Sequence, residues 1–116
     1  ESEQGRFGFA LLDKARGNYE DSEAVFSYLI EKSSTPLQYY EERAELYFRM
    51  KKNARAMADL NKIFAETNDM PAHLYVLRGK IKLAQFEKES AAIDFKKALE
   101  LGYDKAVIDE LIKMTF

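Results

Sequence analysis

The amino-acid sequence predicts an all-α fold in which similar helical hairpins stack as an α-solenoid. Two observations lead to this prediction: the chain matches itself when it is shifted by 34 residues and then by 35, and each matching unit has the apolar spacing of two amphipathic helices. Composition agrees, because 47% hydrophobic and 13% aromatic residues in a chain of 116 supply enough apolar surface for a folded core.

Five sets of three equivalent residues support the period. Two sets are small residues and three are large apolar ones: Ala10, Ala44, Gly79; Ser22, Ala56, Ala91; Leu12, Leu46, Ile81; Phe26, Leu60, Phe95; and Ile30, Phe64, Leu99. The one extra residue falls between Phe64 and Gly79, where polar residues and Pro71 predict a loop. The insertion therefore leaves the helical register intact.

Each unit divides into two predicted helices of about 14 residues. Their expected bounds are 3–16, 20–33, 37–51, 54–67, 72–85 and 88–101. The turns inside the second and third units lack the glycine of the first, Gly17. A residue with positive φ in these turns would be strained unless Asn53 took that place, so we expect their geometry to differ from that of the first turn.

A seventh helix is predicted over residues 104–116, with Asp104 as its N-cap. Val107, Ile108, Leu111 and Ile112 share one face of it. One interpretation is a helix that caps the apolar end of the solenoid, and the other is the first helix of a fourth repeat. We favour the cap, because no small residue stands where a fourth repeat would need one.

This pattern resembles the tetratricopeptide repeat (TPR) family over residues 3–101. The small residues stand where helices of that family cross, "GNY" at 17–19 is similar to its inter-helix turn, and "KALELG" at 97–102 is similar to its usual ending. No tryptophan begins a repeat, and Pro36 and Pro71 are displaced from the family's closing proline. The resemblance implies a right-handed α-solenoid in one domain, residues 1–116, with TPR units at 3–36, 37–71 and 72–103 and a capping helix at 104–116.

Catalysis has little support in the sequence. The single histidine, His73, and the absence of cysteine exclude thiol nucleophiles and sites with several histidines. Carboxylates one turn apart, such as Glu41 and Glu45, are typical of a solvated helix face. We therefore expect no catalytic residue, no cofactor and no metal site, and the chain is predicted not to be an enzyme. The compartment stays open, since a chain without cysteine fits any redox environment.

Charge and hydropathy narrow the partners further. The chain has 18 basic and 20 acidic residues, a net charge of −2, without a basic block that would neutralise a phosphate backbone. Its apolar runs are far shorter than the roughly 20 residues of a membrane-spanning helix. We expect neither nucleic-acid binding nor membrane insertion.

The resemblance implies a non-catalytic adaptor that binds a peptide or protein segment in a concave groove lined by the first helix of each unit. The groove-facing places hold an apolar seam with flanking charges. The seam is Phe7, Leu11, Phe48, Val76 and Leu83, and the charges are Glu41, Glu45, Arg49 and Lys80. In the competing interpretation Phe48 and Leu83 simply pack into the helix layer.

Two further expectations concern the partner. Chaperone-binding members of the family hold a C-terminal carboxylate with two lysines, two asparagines and an arginine, and none of the corresponding residues here matches: Phe7, Leu11, Glu42, His73 and Leu77. Binding of acidic chaperone tails is therefore predicted to be absent. The alternative to an adaptor is a structural role, as a self-associating segment or part of a longer solenoid, with homo-oligomers formed through the terminal helices.

Overall fold

The computed structural model describes residues 2–116, and within them all regular structure is α-helical. The seven helices are α1 Glu3–Ala15, α2 Tyr19–Lys32, α3 Leu37–Arg49, α4 Asn53–Glu66, α5 Ala72–Ala84, α6 Lys88–Glu100 and α7 Lys105–Thr115. Every predicted helix is present, and its ends agree with the prediction to within two residues, which is the usual uncertainty of a helix end. The all-α repeat architecture is confirmed.

The chain forms two compact units, which are described separately. Unit 1 runs to Ile63 and contains α1, α2, α3 and most of α4. Unit 2 runs from Phe64 to Phe116 and contains the end of α4 with α5, α6 and α7.

The core of unit 1 is built where α1, α2 and α3 meet. Ala10, Phe26, Leu29, Tyr39 and Leu46 form one buried cluster. The small residue at the crossing of α1 and α2 lets the helices approach closely enough for the Ser22 hydroxyl to donate a 2.7 Å hydrogen bond to the carbonyl of Ala10. Both residues belong to the small sets that define the repeat, so the period reflects the spacing of helix crossings.

The core of unit 2 is closed by α7. Val76, Phe95, Ala98, Ile108 and Leu111 form its buried cluster, in which the last two come from α7. Burial of this apolar face is what a capping helix provides.

The N-terminus of α7 begins as predicted. The Asp104 carboxylate accepts hydrogen bonds from the backbone N–H groups of Ala106 and Val107, at 2.8 and 3.4 Å. Such bonds satisfy donors that have no partner within the helix.

Close approach of α5 and α6 depends on Gly79. A Cβ atom added there would lie 2.5 Å from Cε1 of Phe95, closer than real side chains come. The first helix of the third repeat thus requires glycine where Ala10 and Ala44 serve the other two.

The expectation that the turns within the repeats differ in geometry is wrong. Positive φ occurs at Gly17 (81°) and at the equivalent residues Lys51 (61°) and Phe86 (64°), whereas Asn53 is already the first residue of α4. Left-handed backbone at a residue with a side chain costs about 1–2 kcal/mol. This strain is present at both Lys51 and Phe86.

The reason lies in the backbone hydrogen bonds at the helix ends. The N–H groups of Gly17, Lys51 and Phe86 each donate to the carbonyl three residues earlier, at 3.1, 3.0 and 3.0 Å. The N–H groups of the next residues, Asn18, Lys52 and Glu87, donate to the carbonyls five residues earlier, at 2.8, 2.8 and 2.9 Å. These bonds satisfy carbonyls that the preceding helix leaves without partners, and they require the left-handed conformation of the residue before the donor. The geometry of the turn therefore repeats although its residue type does not.

None of the helices found between residues 2 and 116 has the length and apolar character needed to cross a bilayer.

Candidate partner-binding face

The first helix of each repeat carries a stripe of three equivalent residues. Positions i, i+4 and i+7 lie on one face of a helix. The stripe of α1 is Phe7, Leu11 and Lys14, the stripe of α3 is Glu41, Glu45 and Phe48, and the stripe of α5 is Val76, Lys80 and Leu83. These residues include most of the predicted site.

In unit 1 the stripes of α1 and α3 are joined by an ion-pair cluster. Lys14 Nζ lies 2.9 Å from Glu45 Oε1 and 3.0 Å from Glu42 Oε1, and its side chain is only 14% exposed. Burial lowers the pKa of Lys14, but hydrogen bonds and charge from the two carboxylates outweigh it and leave the pKa above its ordinary value. Arg49 Nη2 adds a contact of 3.3 Å to Glu45. The charges at this part of the face are therefore paired with one another.

The apolar stripe residues of unit 1 are half-buried. The ring of Phe7 lies edge-on to Tyr39, with 5.4 Å between ring centroids, and Leu11 packs against the same core. Phe48 keeps part of its surface exposed. Phe7 and Leu11 therefore pack against the core and still present apolar surface, and Phe48 also presents some.

Hydrogen bonds at the start of α1 hold it against α3. Tyr39 Oη donates to Glu3 Oε2 at 2.7 Å, and the Ser33 hydroxyl donates to the same oxygen at 3.0 Å. Burial, together with the hydrogen bond to Glu3, raises the pKa of Tyr39 to about 12. The relative position of the two stripes is set in part by these contacts.

The stripe of α5 in unit 2 is more deeply buried. Val76 is only 3% exposed and belongs to the core, and Leu83 packs against that core. Lys80 is half-buried and His73 is exposed. Val76 was predicted to offer surface to a partner, and the structure corrects this: α7 and α6 cover it, so we leave it out of the contact set.

Two buried ion pairs were missed in the sequence. Arg43 donates two hydrogen bonds of 2.8 Å to the carboxylate of Asp59, and Arg78 donates two, at 2.9 and 2.8 Å, to that of Asp94. Lys82 lies 3.0 Å from the same Asp94 carboxylate. The signal was an Arg-to-Asp spacing of 16 residues at equivalent places in repeats two and three, which the first repeat lacks.

Each of these arginines also contacts the end of the preceding helix layer. Arg43 Nη1 donates to Ser27 Oγ of α2 at 3.0 Å, and the guanidinium of Arg78 lies 4.0 Å from the ring centroid of Phe64 at the end of α4. Such bidentate and stacked contacts suit the planar guanidinium. Their role is to hold helices together, because the carboxylates that they engage are buried.

Within residues 2–116, no three acidic or histidine side chains come close enough to share a metal ion.

Comparison with solved structures identifies the relatives of this fold. A tetratricopeptide repeat protein from Parabacteroides merdae is 58% identical over 99% of this chain, with a TM-score of 0.89. The chain belongs to the tetratricopeptide repeat family. Its TPR units are α1 with α2, α3 with α4 and α5 with α6, and α7 follows the third unit. The chain covers 44% of the Parabacteroides protein.

More distant TPR structures share the fold. The first TPR domain of Spaghetti (RPAP3), bound to the HSP90 peptide SRMEEVD, is 21% identical, with a TM-score of 0.86 and coverage of 97% of this chain and 89% of that one. The TPR2B domain of yeast Sti1, in its complex with pHsp70, is 16% identical, with a TM-score of 0.82. The match covers 97% of this chain and 94% of the Sti1 domain. No protein-family model and no curated protein matches the sequence.

Proposed function

We propose that this TPR chain is a non-catalytic interaction module that binds a peptide or protein segment on the stripes of its first helices. Membership of the TPR family supports the proposal, and one of the similar structures is bound to the HSP90 peptide SRMEEVD while another is a pHsp70 complex. The observation that carries it is the pairing of charges in unit 1. Leu11 and Phe48, each one helical turn from a member of the ion-pair cluster, then remain as incompletely buried apolar contacts.

The chemistry of this face favours apolar anchors in the partner. Lys14 and Glu45 already satisfy each other, so a charged partner would have to break an existing ion pair before forming its own. Burial of apolar surface at Phe7, Leu11 and Phe48 carries no such penalty. In unit 2, Leu83 is likewise an incompletely buried apolar residue on a first helix. In unit 1 the flanking charge of Glu41 helps to orient the bound segment, as Lys80 does in unit 2.

The proposal separates this chain from the RPAP3 domain, which is bound to the HSP90 peptide SRMEEVD. Glu42 stands where the carboxylate clamp needs a neutral or basic group, and it is engaged by Lys14 at 3.0 Å. A partner ending in several carboxylates would have to displace Glu42 from Lys14 before it could form an ion pair with that lysine. We expect the SRMEEVD peptide to bind the RPAP3 domain and to show no measurable affinity for this chain in calorimetry; binding of comparable strength would refute the assignment.

The direct test of the face is an affinity pull-down with three baits. Phe48→Glu places a charge on the stripe of α3 and is expected to remove the partners that depend on this face. Ile93→Glu makes the same kind of change at an exposed residue of α6, outside every stripe, and should keep them. Circular dichroism must show that both variants remain folded.

Two results would contradict the proposal. If Phe48→Glu unfolds the chain, then Phe48 is a core residue and the face is wrongly assigned. If the folded Phe48→Glu variant retains every partner of the wild type, binding takes place elsewhere.

A structural role is the second candidate, and the outer side of α7 favours it. Val107, Met114 and Phe116 are exposed although they are apolar, which is the character of an association surface. Sedimentation at micromolar concentration distinguishes the two candidates. A monomer favours the interaction module, whereas a dimer that Met114→Lys dissociates favours self-association through the terminal helix.

A further inference from the structure

The first repeat exposes a face that the later repeats bury. Leu12 is 42% exposed, but its equivalents Leu46 and Ile81 are fully buried. Phe9, one turn earlier in α1, is 58% exposed. Its equivalent in the second repeat is Arg43, which is largely buried.

Unit 1 shows what covers this face when it is covered. Leu46 of α3 lies in one cluster with Phe26 and Leu29 of α2. Arg43 of α3 donates a 3.0 Å hydrogen bond to Ser27, also on α2. This face of a first helix therefore receives the second helix of the repeat before it, and α1 presents the same face without such a neighbour in residues 2–116.

The residue types on α1 are those of a covered face. Where the later repeats have an Arg–Asp ion pair, the first repeat has Phe9 and Val25. The outer face of a terminal repeat is polar when it meets water, and an ion pair at that place would suit water well. The first repeat instead has two apolar residues. Val25 packs against the core of unit 1, and Phe9 adds apolar surface to the exposed face, which makes that face a better surface for packing.

We propose that the outer face of α1, defined by Phe9 and Leu12, is an acceptor for the second helix of a further TPR hairpin in the same polypeptide, packed as α2 packs on α3. The occupant has large apolar residues at the places of Phe26 and Leu29. At the place of Ser27 the occupant has a small apolar residue. The hydroxyl of Ser27 accepts a hydrogen bond from Arg43, and Phe9, which stands at the place of Arg43 in α1, has no such donor. The Parabacteroides relative is longer than this chain, which covers 44% of it. This inference does not depend on the peptide-binding proposal.

The test is a fusion that places such a hairpin before α1. A second copy of residues 3–36 is joined through its Pro36 to Glu3 of the chain, which reproduces the link between Pro36 and Leu37. The donor copy carries Ser27→Ala, and the matched control is the same fusion with Phe9→Glu and Leu12→Glu in the acceptor α1. Thermal unfolding and helix content by circular dichroism are measured for both, and for the chain alone with and without the same two substitutions.

In the fusion, the donor hairpin is expected to fold on α1, and the Tm should exceed that of the control fusion by roughly 5 to 10 °C, since two large apolar side chains become buried. In the chain alone the two substitutions should change the Tm much less, because both residues are largely exposed. A donor hairpin that adds no helix, or a fusion no more stable than its control, overturns the proposal. So does a wild-type dimer that dissociates with Leu12→Glu, because the face would then belong to a second copy.

Discussion

Gly79→Ala tests whether close packing of α5 on α6 requires a residue without a side chain. The new Cβ would lie 2.5, 2.8 and 3.1 Å from three ring atoms of Phe95, whose side chain is completely buried. The ring has no route into solvent, so the helices must move apart. Overpacking of this kind costs about 1–3 kcal/mol. Alanine returns up to about 1 kcal/mol through its higher helix propensity. We expect a net loss of about 1–2 kcal/mol in the free energy of unfolding.

The chain offers a matched control and a rescue. Gly8, in α1, has no atom within 4 Å of an added Cβ, so Gly8→Ala should stabilise the protein by up to about 1 kcal/mol. Adding Phe95→Leu to Gly79→Ala recreates the Ala44 and Leu60 pair of the second repeat. The double variant should be more stable than the sum of the single changes by about 1 kcal/mol or more.

Urea unfolding, followed by circular dichroism, gives the free energy of unfolding of the wild type, of Gly79→Ala, Gly8→Ala and Phe95→Leu, and of the double variant. If Gly79→Ala is as stable as Gly8→Ala, the ring of Phe95 rotates away freely and the reasoning is refuted. An additive double variant would likewise show that the two positions are not in steric conflict.

Three further predictions use the same assay. Asp94→Ala leaves two cations of α5 without their buried partner and should cost about 3–5 kcal/mol, whereas Asp109→Ala, in an exposed ion pair, should be within error of wild type. Phe86→Gly should stabilise by about 0.5–1 kcal/mol, because it relieves a left-handed residue that is 87% exposed; a loss of stability would mean that the ring packs. Tyr39 holds its proton to about pH 12 when folded but only to about pH 10 when unfolded. Its contribution is therefore complete below pH 10 and is lost as the pH rises towards 12, and Tyr39→Phe should lose less stability over that range than wild type.

The helices were predictable because the constraint behind them is local in sequence. A small residue is needed where two helices cross, and residues such as Ala10 and Ala44 recur at the period that this need imposes. The caps and loops then set the ends. Asp104 shows this, since its position before an amphipathic run was enough to place the start of α7.

The features that escaped prediction depend on the assembled fold. The left-handed backbone at Lys51 and Phe86 follows from hydrogen bonds at the helix ends. These bonds override the conformational preference of Lys and Phe, so the residue types alone could not predict it. Val76 has the character of a groove residue by spacing, but a helix in a layered stack is apolar on two faces and only the position of α7 decides which one is covered. The burial of Asp59 and Asp94 likewise shows only in three dimensions, because charged residues usually remain solvated.

The cluster of Lys14, Glu42, Glu45 and Arg49 has a kinetic consequence. Since these opposite charges neutralise one another at 2.9 to 3.3 Å, they create little long-range field above the stripes of unit 1. A partner of the proposed face would then find it by unassisted diffusion, at a rate of about 10⁵ to 10⁶ M⁻¹ s⁻¹. Added salt would hardly slow association, and the lifetime of the complex would be governed by the rate at which its apolar contacts dissociate.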